Sequence, residues 1–331
     1  INGLSFGKIG NNDLKWETIV QANLGIDFSL FNNRLRGSFD VYQKNTEDLF
    51  FATPISPALN GGVTTLDANV GELQNSGFDL ELHYDLLKST KENGLNMTLN
   101  LVGNYNKQEV ISLGAGGDIP YEIRVGGVID EIFAAPFVGV NPANGNLLYE
   151  NLNGDITEDL VDADQRATGL NVHPDYQGSF GLDADFKNFF FTTRFNYTIG
   201  VDAYDFDYQG FMDPSAIGQF RHSRDILNAW QQPGDITNVP SLDANNFADE
   251  GLSDRHVREA DYIRLRFIQF GYNIPKAILD KTGFSHIRAF VSGENLVTFS
   301  KWRGFDAERI QAAQNRYPTP KTFSIGLEFG F

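Results

Sequence analysis

The chain has 331 residues, with 26 basic and 43 acidic side chains and a formal net charge of −17. It contains no cysteine, which excludes disulfide scaffolds, thiolate zinc sites and cysteine nucleophiles. The acidic balance argues against nucleic acid as a partner, because phosphates demand a basic footprint.

Aromatic residues make up 13% and Gly numbers 33, against only 2 Met, a composition that leans toward strands and turns. No run approaches the ~20 consecutive apolar residues of a membrane-spanning helix. The mean hydropathy is −0.29. A strand-built membrane wall gives such a value too, since apolar and polar residues alternate along it. The chain opens at Ile1 with neither an initiator Met nor a secretory signal, and is therefore expected to be the downstream part of something longer.

Period-two alternation is the main signal. Val20, Ala22, Leu24, Ile26, Phe28 and Leu30 alternate with polar or small residues, and the pattern resumes past Asn32-Asn33 with Leu35, Phe39 and Val41. Two such runs around a short Asn-rich turn predict a hairpin. Phe78, Leu80, Leu82, Tyr84 and Leu86 form the next run, followed by Leu95, Met97, Leu99 and Leu101. Phe180, Leu182, Ala184 and Phe186 lead through Lys187-Asn188 into Phe189, Phe191, Phe195, Tyr197 and Ile199. Ile263, Leu265 and Phe267 switch phase to Ile268, Phe270 and Tyr272, which predicts a β-bulge. A strand over 287–295 and the run Phe323, Ile325, Leu327, Phe329 and Phe331 complete the series.

Runs of about ten residues match the ~9–11 of a tilted membrane strand. Short links are predicted at 31–34, 87–94, 187–188 and 275–285, and long polar links at 44–76, 109–176, 202–260 and 297–321. Short turns on one side and long loops on the other are the asymmetry of outer-membrane barrels. The expected fold is therefore all-β: part of a transmembrane antiparallel β-barrel, with short periplasmic turns and long extracellular loops. A soluble β-sandwich is the alternative. Nine strands are an odd count that cannot close alone, since open edges in lipid leave backbone groups unpaired. Further strands are expected upstream.

Several motifs then resemble one family, the SusC-like TonB-dependent outer-membrane transporters of Bacteroidetes. They are Gly10-Asn11-Asn12-Asp13-Leu14-Lys15-Trp16-Glu17, Phe31-Asn32-Asn33-Arg34-Leu35 with Gly37 and Tyr42, and Thr46-Glu47-Asp48-Leu49. Asn69-Val70-Gly71-Glu72 through Asn75-Ser76-Gly77-Phe78 follows, with Asp79 where the family usually has Glu. Further along come Pro174-Asp175-Tyr176, Tyr262-Ile263-Arg264-Leu265-Arg266, Gly271-Tyr272-Asn273-Ile274-Pro275, Ser292-Gly293-Glu294-Asn295-Leu296 and Tyr317-Pro318-Thr319-Pro320. The resemblance spans nearly the whole chain. It implies a barrel of about 22 strands, of which residues 1–331 form the C-terminal part. It also implies a plug domain and a TonB box, neither recognisable in this sequence, and a SusD-like surface lipoprotein as lid. The implied activity is TonB-energised import of oligosaccharides or oligopeptides across the outer membrane of a Gram-negative, Bacteroidetes-like cell.

No catalytic motif is found: the five His lack metalloprotease spacing and no nucleophile elbow occurs, so no enzyme and no cofactor is expected. Gly114-Ala115-Gly116-Gly117 is read as a loop tip. His83, among Asp79, Glu81 and Asp85, is read as a lumen-lining hydrogen-bonder rather than a metal ligand. Asn151, Asn153, Asp155, Thr157 and Asp159 offer oxygens at alternate positions, but the Gly is misplaced for a Ca²⁺ loop and a solvated acidic loop is expected. Arg36, Arg194, Arg264 and Arg266 share the polar phase with Asp27, Asp40, Asp79, Glu81, Asp183 and Asp185, so these faces point into a lumen and are expected to pack on a plug.

Phe28, Phe31, Phe186, Phe189, Phe329 and Phe331 near the short turns, and Tyr42, Tyr105 and Tyr197 near the long loops, suit two interfacial aromatic girdles. Gly326, Phe329 and Phe331 also resemble the C-terminal signal read by the barrel-assembly machinery. Deleting Phe331 is accordingly expected to abolish assembly into the lipid of the outer membrane, scored by loss of a heat-modifiable band. Trp230, Trp302, Tyr204, Tyr208 and Phe211 lie in the long links and are the candidate contacts for substrate or lid. A passive porin or surface-adhesion barrel without energy coupling is the rival function; a barrel enzyme is a more distant one.

Overall fold

The computed structural model describes residues 9–91, 93–114, 117–280, 283–310 and 317–331. Nine strands form one antiparallel sheet in simple sequence order. They are β1 (Thr18–Leu30), β2 (Leu35–Pro54), β3 (Thr65–Leu87), β4 (Asn96–Ser112), β5 (Tyr176–Phe186), β6 (Phe189–Ile199), β7 (Tyr262–Asn273), β8 (His286–Ser300) and β9 (Thr322–Gly330). Each pairs with the next, and no pairing among the described residues joins β9 back to β1. The sheet is an open wall.

Alternation fixes the register. Leu24 lies opposite Val41 and Asp27 opposite Ser38, so apolar meets apolar and polar meets polar across the first hairpin. The outer face carries an aromatic row running from Phe39 through Phe78 and Tyr105 to Tyr176, with ring centroids 4.8 to 5.6 Å apart. No second protein layer among the described residues covers it: Leu24 is 69% exposed and Ile325 87%. Apolar side chains so arranged have hydrocarbon as their natural solvent. Leu101, midway between the start of β4 at Asn96 and the Tyr105 belt, is therefore expected to tolerate Phe within about 1 kcal/mol, while Leu101→Arg costs about 2–4 kcal/mol, read as a shift of the urea midpoint in lipid.

The predicted bulge is present. The pairing of β7 slips between Leu265 and Phe267: against β6 Arg266 is the extra residue, and against β8 it faces both Asn295 and Leu296. Phe267, expected in the outer run, pairs with Arg194 and so belongs to the inner phase. The first turn runs left-handed through Phe31, Asn32 and Asn33, with φ of 55°, 55° and 63°; Asn tolerates that region better than most residues.

The long-loop side differs from the expectation. The link predicted at 44–76 is mostly ladder: β2 and β3 stay paired as far as Pro54 and Thr65, with bulges beside Leu49. At 20 and 23 residues these strands greatly outreach the ~9–11 residues that a membrane needs. Both faces of the extension lie outside lipid, so nothing enforced alternation there. Leu73, Val110, Leu113, Ile119 and Ile123 form a small core against it, joined by Leu49 and Phe51. Of the Gly-rich tip, Ala115 and Gly116 fall outside the described residues.

Further along, Phe137–Val140, Leu147–Glu150 and Ile156–Thr157 make a three-stranded meander. Glu131–Ala134 pairs with Arg166–Asn171, and Asp202–Tyr204 with Val257–Glu259. A second core of Ala135, Val140, Leu147, Tyr149 and Leu160 ties the meander to the link between β6 and β7 through Trp230 and Leu252. The loops are thus a folded cap.

Two expectations on the wall are corrected. Tyr42 belongs to the phase of Asp40 and lies inside, over Gly77, with its hydroxyl donating to the Asn106 side chain at 3.0 Å; it is not part of the outer girdle. Tyr197 does face out, lying across Gly178 and Gly103 and donating to the Val102 carbonyl at 3.4 Å. Secondly, Arg264 and Arg266 are held by the protein's own last loop. Arg264 meets Asp306 and donates to Glu308 at 2.6 Å, and Arg266 reaches Glu308 at 3.2 Å.

Candidate functional site

Inside the wall, several polar groups satisfy one another. Asp183 accepts from Asn100 at 2.7 Å, Thr192 at 2.9 Å and Arg194 at 2.7 Å. Asn104 donates to Asp79 at 2.7 Å, Arg36 approaches Asp85 at 3.4 Å, and His83 sits between Asn100 at 2.6 Å and Glu81 at 2.8 Å. Cross-strand pairs of opposite sign at this spacing stiffen a sheet and leave few donors free.

The five aromatic candidates lie in the cap and split into two groups. Trp230 caps the second core: its indole N–H donates to the Pro142 carbonyl at 3.1 Å and its ring lies against Gly145, where φ is +80°. The other four converge near the start of the short helix Phe206–Met212. Tyr204 donates to the Glu250 carbonyl at 3.1 Å, and Tyr208, buried, donates to Asp225 at 2.6 Å. Phe211 meets Phe305 edge-on at 5.2 Å, and Trp302 lies beside Gly304. Asp205 caps the helix by accepting from the Tyr208 N–H at 2.9 Å. At the chain end, the Gly326 position is covered by the Phe290 ring, and Phe329 and Phe331 flank Phe284 at 5.6 and 5.1 Å.

Asn151 accepts the N–H groups of Asn153 and Asp155 at 3.0 and 2.9 Å, which makes that run a turn device. Among the described residues no three His, Asp or Glu side chains gather as a metal set. Glu158 instead gathers three amides, from Asn141, Asn144 and Asn146, at 2.6 to 2.8 Å; these bonds outweigh desolvation and hold its carboxyl below the usual range.

Under Tyr204 and Tyr208 lies a buried ionic core of Glu250, Arg255 and His256. Arg255 pairs with Glu250 and donates to the Asn238 carbonyl at 3.2 Å, with burial pulling its guanidinium down to about 10. Burial, and then Arg255 and Arg258 beside it, push the His256 imidazole down to about 3. A neutral ring satisfies Glu250, 3.2 Å away, only with the proton on Nε2. The cap should therefore loosen in acid. Below an unfolded value near 6.5 the opened loop takes up a proton that the folded one refuses until about 3, so stability falls as pH drops through that window. By pH 4.5 the loss is roughly 2–3 kcal/mol. Asp205, whose carboxyl burial pushes up, works in the opposite direction. Limited proteolysis of wild type against His256→Gln at pH 7.5 and 4.5 isolates the imidazole; equal acid sensitivity in both refutes this account.

A cleft of about 650 Å³ opens beside this core, walled by three different links: Phe137 and Val138 from the first, residues of 208–239 and 255–258 from the second, and Arg303 from the third. It holds three guanidinium groups, Arg255, Arg258 and Arg303, within a chain of net charge −17. Sequence reading missed it, since no local pattern links residues so far apart.

An open wall with a wet inner face, an apolar outer face and a folded cap on one side only defines a class: an outer-membrane β-barrel part. The family described as TonB dependent receptor-like, beta-barrel matches residues 2–149. TonB-dependent receptor P3 of Formosa agariphila is 28% identical over 374 residues, covering 100% of this chain and 36% of its own length. TonB-dependent receptor SusC of Bacteroides thetaiotaomicron is 25% identical, covering 98% of this chain and 33% of its own. The solved RagAB peptide transporter superposes with a TM-score of 0.84 at 26% identity, over 99% of this chain and 37% of that one. Over nearly its whole length the chain is similar to the barrel of SusC-like TonB-dependent receptors, which are outer-membrane proteins, and its first 149 residues carry the match to the family model. It spans little more than a third of the relatives' length.

Proposed function

We propose that this chain is the C-terminal part of the barrel, and the outer vestibule, of an energy-coupled importer of oligosaccharides or oligopeptides. In this reading further strands, a plug and a TonB box complete the machine, a SusD-like lipoprotein closes over the cap, and the barrel-assembly machinery receives Gly326, Phe329 and Phe331. The observation that carries it is the folded one-sided cap on a polar-lined wall, together with the similarity to SusC and to the RagAB peptide transporter. Open strand edges also support completion by other strands, since lipid cannot satisfy them. The cap leaves Phe220, Leu227 and Ile236 at least three-quarters exposed, a surface suited to a lid. Tyr204, Tyr208, Phe211, Trp302 and Trp230 then serve by shaping the vestibule, since their polar atoms or rings are engaged within the cap. No step of bond cleavage is required of it.

The test is uptake of labelled oligopeptides and oligosaccharides by cells with and without the receptor, and with and without TonB. Uptake that needs both is expected, with the oligomer recovered intact. Passage that persists without TonB establishes the passive porin instead.

A further inference from the structure

Resting on the import reading, we propose that the three-walled cleft in the cap is a subsite for a carboxylate on the incoming oligomer, with Arg258 as its anchor. Two of the three arginines are already matched, Arg255 by Glu250 and Arg303 by Asp225. Arg258 makes no ion pair among the described residues; the buried Asp205 carboxylate feels its charge without bonding to it. Its one hydrogen bond goes to the carbonyl of its own neighbour Val257, at 3.2 Å. A half-buried cation left beside a second guanidinium is costly until an anion joins it. A guanidinium fork also fits a carboxylate bidentately.

The position is rigid. Arg258 sits on the strand Val257–Glu259, paired with Asp202–Tyr204 opposite the buried Ala203. Beside it the side-chain amides of Asn228 and Asn238 make no hydrogen bond within the described residues, although the backbone carbonyls of both are used. One free cation flanked by two free amides suits a carboxylate whose neighbouring atoms are hydroxyls or carbonyls. Both a uronate sugar and an acidic peptide carry that group.

The experiment uses the receptor purified in detergent and calorimetric titration with four probes. These are trigalacturonate, its methyl ester, C-terminally amidated triglutamate and the matching triglutamine. One acidic probe is expected to bind about tenfold or more tighter than its neutral counterpart, and which one identifies the source of the carboxylate. Arg258→Gln should weaken that probe about 10- to 100-fold and leave the neutral counterpart unchanged, whereas Arg258→Lys retains charge and part of the affinity. Equal binding of acidic and neutral probes, or unchanged affinity in Arg258→Gln with wild-type heat-modifiability, overturns the proposal. The import reading fails separately: acid-selective binding without TonB-dependent uptake sinks import and keeps the cleft, and TonB-dependent uptake without acid preference does the reverse.

Discussion

Gly77→Ala is expected to prevent assembly of a stable barrel. A Cβ at this position would lie 1.9 Å from the backbone carbonyl oxygen of Tyr105 on the neighbouring strand and 2.8 Å from the hydroxyl of Tyr42. The carbonyl belongs to the β3–β4 ladder and cannot retreat without parting the two strands. The phenol above it is held by Asn106. Overpacking against backbone exceeds what a side-chain shift relieves, so a loss of about 3 kcal/mol or more is anticipated. Ser76→Ala, one residue away, is the control. The reading is the heat-modifiable fraction in outer membranes together with the urea midpoint. Normal values for Gly77→Ala would show that the strands have slack the structure does not contain.

Arg264→Leu is expected to release the loop between β8 and β9. Arg264 and Asp306 are both almost fully buried, and the carboxylate also accepts the N–H groups of Thr319 at 2.9 Å and Glu308 at 3.1 Å. Removing the cation strands Asp306, which by analogy with other broken buried pairs costs about 3–5 kcal/mol. Protease cleavage within 301–310 should rise accordingly, and adding Asp306→Asn should recover part of the loss because the orphaned charge disappears. Burial would raise the Asp306 carboxyl, but the bonds from Arg264 and Thr319 prevail and hold it at about 2. Its contribution is complete above an unfolded value of ~3.8 and vanishes only as pH falls through 2. The difference between wild type and variant should thus be flat from pH 5 to 8. A cleavage rate equal to wild type across that range contradicts the latch.

Much of the wall was legible because lipid imposes a strict rule. Where one face is dissolved in hydrocarbon, a one-residue slip is forbidden, so Leu24, Phe78 and Phe323 announced both strand and register, and the phase change between Leu265 and Ile268 announced the bulge, although Phe267 itself turns inward. Above the membrane that rule lapses, and the ladder from Asn45 to Pro54 carries no alternation that marks it as strand. Coupling between Tyr42 and Gly77, or Tyr197 and Gly178, depends on which residues face each other across strands, and a linear pattern does not state it. The phase of Tyr42 was present in the sequence, two residues past Asp40, and ring type outweighed it. The cationic cleft was the least legible. Arg258 and Arg303 lie 45 positions apart and meet only after three loops fold, so their chemistry is a property of the cap as a whole.

The self-contained ion pairs of the inner face have a mechanical consequence. Asp183 and Asp85 are matched by Arg194 and Arg36, and Asp79 by the Asn104 amide. Asp27, Asp40 and Asp185, by contrast, make no hydrogen bond or ion pair among the described residues, so a body in the bore meets unmatched charge only at scattered points. Between those points only neutral, water-bridged contacts are on offer, which part at lower cost than matched charges.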